Sequence, residues 1–130
     1  MAHLFRFWLV VVLLAGPGCI VIVQENEDCI GHPRQVMPLE DVDLTVGEVV
    51  EKDLEAPTSP VFIHTEAHRL SYDVIVEEPG VAEVTVERGR MRVKGRAAGV
   101  TAVTIEVYEA GCPEVVRGHL TVRVQAAGVA

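Results

Sequence analysis

Two histidines and a carboxylate fall within five positions at His64-Thr65-Glu66-Ala67-His68. Imidazole nitrogens and carboxylate oxygens are the donors that hold zinc and related metals. The spacing is not the His-Glu-x-x-His of helical zinc sites, and Pro57 and Pro60 upstream oppose the helix such a motif needs. In an extended loop, positions 64, 66 and 68 share a face. His64, Glu66 and His68 are therefore one candidate metal set, set against the plainer reading of a solvated loop. Cys29-x-x-His32 with Cys112 and His119 is a second arrangement of zinc-ligand types. Asp41, Asp43 and Asp53 are of the type that holds calcium, but they lack clustered Asp-x-Asn-x-Asp spacing. Nucleophilic chemistry finds no support. Ser59 and Ser71 are the only serines, and neither sits in a Gly-x-Ser-x-Gly elbow. Glu77 and Glu78 are adjacent and point to opposite faces of a strand. No glycine-rich phosphate loop is present. The reading is a non-enzyme that needs no cofactor.

The segments that must position these residues are short and alternating. Residues 40–46 place Val42, Leu44 and Val46 on one side and Asp41, Asp43 and Thr45 on the other, the period of a half-buried strand. Residues 48–54 follow, with Val50 and Leu54 sharing a face with Lys52. Residues 55–67 are a loop, interrupted by Val61-Phe62-Ile63, which reads as a core plug or a strand stub. Residues 69–77 alternate through Leu70, Tyr72, Val74 and Val76. Residues 81–87 and 90–94 form a hairpin about Arg88-Gly89, with glycine supplying the positive φ. The glutamates of the first hairpin strand would face Arg90, Arg92 and Lys94 of the second. Residues 100–109 turn Val103, Ile105 and Val107 inward, and residues 116–125 do so with Leu120, Val122 and Val124. Seven evenly spaced strands without a convincing helix predict an all-β, two-sheet sandwich.

With 130 residues the chain holds one domain plus a short leader. Its net charge of −8 excludes a nucleic-acid role through a basic face. Residues 7–15 are an apolar run, Gly16-Pro17-Gly18 breaks any helix, and Cys19 follows. A short apolar core ended by small residues is the pattern of a cleaved export signal. The apolar character continues to residue 23, so an uncleaved membrane anchor is the alternative. The proline and glycines in its middle count against that.

Leu13-Leu14-Ala15-Gly16-Pro17-Gly18-Cys19 resembles the lipobox of bacterial lipoproteins, in which the chain is cut before a lipidated cysteine. Gly18 and Cys19 match; Pro17 and Gly16 stand where Ala or Ser and Leu are usual. The resemblance implies lipidation, palmitate included, at Cys19 and a partner in the lipid bilayer. Loss of residues 1–18 removes Arg6 and leaves 10 basic and 19 acidic residues, a charge of −9. It also leaves Cys29 and Cys112 as a pair, which an oxidising compartment would be expected to bridge. Ile20 rather than aspartate after Cys19 points, by analogy with lipoprotein sorting, to the outer membrane. Residues 19–37 then form a tether without periodicity.

Leu44-Thr45-Val46-Gly47-Glu48, Pro79-Gly80-Val81-Ala82-Glu83-Val84 and Ala98-Gly99-Val100-Thr101-Ala102-Val103-Thr104-Ile105 are similar to the strand and turn motifs of bacterial immunoglobulin-like and cadherin-like surface modules. The resemblance covers residues 40–125. It implies a seven-stranded Ig-like β-sandwich at 38–126, ending in a frayed 127–130, and it brings the loop holding Cys112 to the pole where the chain enters beside Cys29. The function it implies is a non-catalytic, membrane-anchored binding or structural module of the bacterial cell envelope. Its partner would be an envelope protein or glycan. The alternatives are a periplasmic metal-binding protein and a small subunit of an envelope assembly that adds a strand at a sheet edge.

Overall fold

A computed structural model describes residues 29–128. The expected signal at 1–18, the expected lipidation site Cys19, the expected tether as far as residue 28 and the last two residues lie outside the described residues. Among the described residues there are nine strands and no helix, and none therefore is long and apolar enough to cross a membrane. The strands are β1 (Pro33–Gln35), β2 (Val42–Thr45), β3 (Val49–Asp53), β4 (Phe62–His64), β5 (Ser71–Val76), β6 (Ala82–Glu87), β7 (Arg90–Gly95), β8 (Gly99–Tyr108) and β9 (Val115–Gln125).

Two layers face each other. One is a four-stranded sheet ordered β2-β9-β8-β5, the other a three-stranded sheet ordered β3-β7-β6. Alternation decides which side chains enter the space between them. Met91 and Val93 of β7, Val103, Ile105 and Val107 of β8, and Val122 of β9 are all essentially inaccessible to solvent. The intervening residues of these strands are largely exposed, as a side-chain period of two requires. All seven sequence-predicted strands are present.

Two features go beyond that reading. β2 pairs with β9 in parallel, Val42 opposite Val122 and Leu44 opposite Val124. The entering chain thus shields an edge of the last strand. The second is a small separate ladder of β1 and β4, with Pro33 opposite His64 and Gln35 opposite Phe62. The structure therefore places Pro33–Gln35, within the expected tether, against the body of the domain. Val61-Phe62-Ile63 is both plug and strand. Leu54, Val61 and Phe62 are buried, and the Leu54 carbonyl accepts the Val61 and Phe62 N–H groups at 2.8 and 3.1 Å. The proline-containing excursion between them is pinched off on one backbone oxygen.

The hairpin turn carries positive φ at both central residues, 51° at Arg88 and 78° at Gly89. This is the turn whose twist matches its strands. Glu83 stands opposite Lys94, and Glu87 opposite Arg90, as the charge pattern predicts. The ion pairs, however, run elsewhere: Arg90 and Arg92 reach Glu51 of β3 at 3.6 and 3.9 Å, and Arg96 reaches Glu83 at 3.2 Å. Exposed pairs of this kind contribute about 0.2–1 kcal/mol each, enough to favour a register and little more.

Candidate functional site

The chemistry-bearing residues meet at the pole where the described chain begins. β4 ends at His64, whose side chain is fully buried. The chain then turns sharply rather than running extended. Ala67 takes φ 59° and its N–H donates to the His64 carbonyl at 3.0 Å. That turn folds His68 back over His64, with ring centroids 4.5 Å apart and planes 22° from parallel. On the opposite side, Glu109 follows the last residue of β8. Pairing of β5 with β8 sets Ser71 opposite Tyr108, so the segment before β5 and the residue after β8 must be neighbours.

Glu109 bridges the two rings. Its Oε1 lies 2.8 Å from His64 Nε2, and its Oε2 lies 2.9 Å from His68 Nδ1. Burial alone would raise this carboxyl, but the hydrogen bonds from His64 and His68 outweigh it and hold Glu109 below the usual carboxylate range. The tautomer of His64 follows from its other nitrogen. The Glu66 backbone N–H donates to His64 Nδ1 at 2.9 Å, so the single proton of the neutral ring sits on Nε2 and is donated to Glu109. The His64 and His68 side chains thus come together as the sequence suggested. Glu66 supplies its backbone instead of its carboxylate, and Glu109 takes the place expected for it. The donor atoms of His64, His68 and Glu109 all lie within 4.8 Å of one another.

Cys29 and Cys112 form a disulfide beside this cluster. They are consequently not thiolate ligands, and the alternative zinc arrangement is dissolved. His119, its fourth member, contacts Thr104 Oγ1 at 3.1 Å across β8 and β9, and His32 Nδ1 contacts the Pro33 carbonyl at 3.0 Å. The segment that starts at Cys29 packs tightly on the histidine turn. At Gly31, with φ 77°, a Cβ would stand 2.6 Å from both Thr65 Oγ1 and Glu66 Cγ and 3.0 Å from His64 Cε1. The His32 N–H donates to Thr65 Oγ1 at 3.0 Å, and the Thr65 N–H to the His32 carbonyl at 3.1 Å. A depression of about 80 Å³, lined by the disulfide, Gly31, Pro33, Glu109 and Glu114, opens next to Glu109.

The calcium-type aspartates do not converge. Asp41 accepts the Thr121 N–H at 2.9 Å, Asp41 and Asp43 both face Arg123 at 3.7 and 3.6 Å, and Asp53 accepts the Glu55 N–H at 2.9 Å. Asp41 and Asp43 tie the start of β2 to β9, and Asp53 closes a local turn.

No protein-family model and no curated protein matches the sequence. Among solved structures, the chain is similar to an endo-fucoidan hydrolase of glycoside hydrolase family 107, at TM-score 0.52 and 14% identity, over 75% of this chain and 14% of that one. It is also similar to a titin domain, at TM-score 0.45 and 11% identity, over 75% of this chain and 98% of that one. A two-domain piece of the S-layer protein SbsC aligns at TM-score 0.43 and 15% identity, over 70% of this chain and 50% of that one. The chain spans only a small part of the hydrolase, and at such identities a likeness is one of fold alone. By its own strand order the chain is an all-β, Ig-like sandwich whose histidine turn is fastened to its entry segment.

Proposed function

We propose that the chain is a lipid-anchored, non-catalytic Ig-like module of a bacterial cell envelope, a binding or structural element joined to the bilayer through acylated Cys19. One observation carries this reading. Cys29 is bonded to Cys112, a bond that belongs to an oxidising compartment, and it leaves Cys19 as the unpaired third cysteine directly after an apolar segment. Cys29 follows Cys19 by ten positions. The ten steps from Cys19 to Cys29 reach at most about 36 Å, so the histidine-bearing pole would face the membrane at close range. An outer-membrane address and an envelope protein or glycan as partner belong to the same proposal.

Intact-mass spectrometry of protein purified from its native membrane tests it. The expected result is a chain beginning at Cys19, heavier by a diacylglyceryl group, with Cys29 and Cys112 oxidised. A Cys19→Ala chain should carry no acyl mass and should retain residues 1–18. Unmodified Cys19 on a chain retaining residues 1–18 would refute it.

A further inference from the structure

We propose that His64, His68 and Glu109 bind a divalent transition metal of borderline softness, zinc or copper, at the entry pole of the sandwich. The donor set is two imidazole nitrogens and one carboxylate, which suits these ions and not calcium or magnesium, whose sites are built from oxygen. Three protein donors leave a fourth position for a water, as in zinc sites with three protein ligands.

Two adjustments are needed. A metal lies near the plane of each imidazole it binds, so the partly exposed His68, stacked on His64 with centroids 4.5 Å apart and planes 22° from parallel, turns out of the stack. The carboxylate contacts also open. The present contacts of 2.8 and 2.9 Å are hydrogen bonds. Ligands around a tetrahedral zinc stand about 3.4 Å apart, given metal–ligand bonds of about 2.1 Å. Each contact therefore opens by about half an ångström, and Glu109, just past the end of β8, is placed to yield. The disulfide and the Gly31 packing hold the other side still.

The proton count is specific. A metal on His64 Nε2 displaces the proton there, and the neutral ring then carries it on Nδ1. The Glu66 N–H, which now donates to Nδ1, has to swing away. His68 binds through Nδ1 and moves its proton to Nε2. No net proton is released from the neutral rings, but both switch tautomer.

The test uses the full chain in detergent micelles, without a polyhistidine tag. Calorimetry with zinc chloride and with copper sulfate should show one ion per chain, with a dissociation constant on the order of 10 µM for at least one of them. Calcium chloride should give no heat. His68→Ala and Glu109→Gln, at partly exposed positions, should each weaken binding at least about tenfold. Nitrogen-15 spectra of histidine-labelled protein should show His64 passing from the Nε2–H to the Nδ1–H form on metal addition. Binding that both variants retain, or an unchanged His64 tautomer at saturating metal, would overturn the proposal. So would the absence of heat from both transition metals.

Discussion

Replacing Cys29 and Cys112 together by serine removes a bond that closes 83 residues of sequence. In the chain-entropy account, a loop of that length restricts the unfolded chain by about 15 cal/mol/K, or about 4.5 kcal/mol at room temperature. A domain of this size has a total stability of about 5–15 kcal/mol, so the loss is a large share of it. With a urea m-value of about 1.3 kcal/mol/M, the unfolding midpoint should fall by about 3.5 M. The folded form should change little, because β1 keeps its ladder with β4 and the Val36 N–H keeps the Val61 carbonyl at 2.8 Å. The assay is equilibrium urea unfolding followed by far-ultraviolet circular dichroism, with reduced parent protein as a second route to the same state. Near-identical native spectra with a midpoint lowered by several molar are expected. A midpoint shift below about 1 M would refute the reasoning, since the bridge would then not be restricting the unfolded chain.

Gly118 lies on the inward face of β9, where a Cβ would stand 2.7 Å from Leu39 Cδ1 and 2.9 Å from Phe62 Cζ. Gly118→Ala should therefore destabilise by about 1–3 kcal/mol in urea unfolding. Gly80→Ala, with nothing within 4 Å, should be near neutral in the same measurement. Leu54, fully buried beneath the pinched loop, should cost about 2–5 kcal/mol as Leu54→Ala, read as a lowered midpoint. Burial, and then the hydrogen bond and charge of Glu55 with the charge of Asp53, push the Tyr72 phenol well above its ordinary value. Its stabilisation is therefore complete below the ordinary phenol range and is lost as pH rises toward the raised value. Tyr72→Phe should flatten the alkaline limb of a stability–pH curve, and an unchanged limb would contradict the assignment.

Alternation made the sandwich legible. Where a valine or isoleucine recurs at every second position the structure turns it inward, fully buried at Val103, Ile105 and Val107 and half-buried at Val74 and Val76. Pro33–Gln35 carries no such signal. Three residues without an apolar repeat become a strand only because Phe62-Ile63-His64 lies alongside, a tertiary cause invisible in the local sequence. The histidines of the cluster were legible by type and Glu109 was not, since it stands 41 positions from His68. One signal was available: pairing residues 69–77 with residues 100–109 carries Glu109 one step past the Ser71–Tyr108 pair, opposite Leu70 and within two positions of His68. Glu66 is equivalent to its neighbours only in an extended loop. The left-handed turn at Ala67 ends that equivalence, and the Glu66 N–H rather than its carboxylate meets the His64 ring.

The sulfur bridge also decides how the molecule bears load. Tension applied ahead of Cys29 and beyond Gln125 passes through the bridge to Cys112 and straight along β9, whose 11 residues extend about 35 Å. The stretch enclosed between the two sulfurs lies off that path and adds no length when pulled. An oxidised chain tugged between an anchor and whatever it holds would behave as a short, nearly inextensible link.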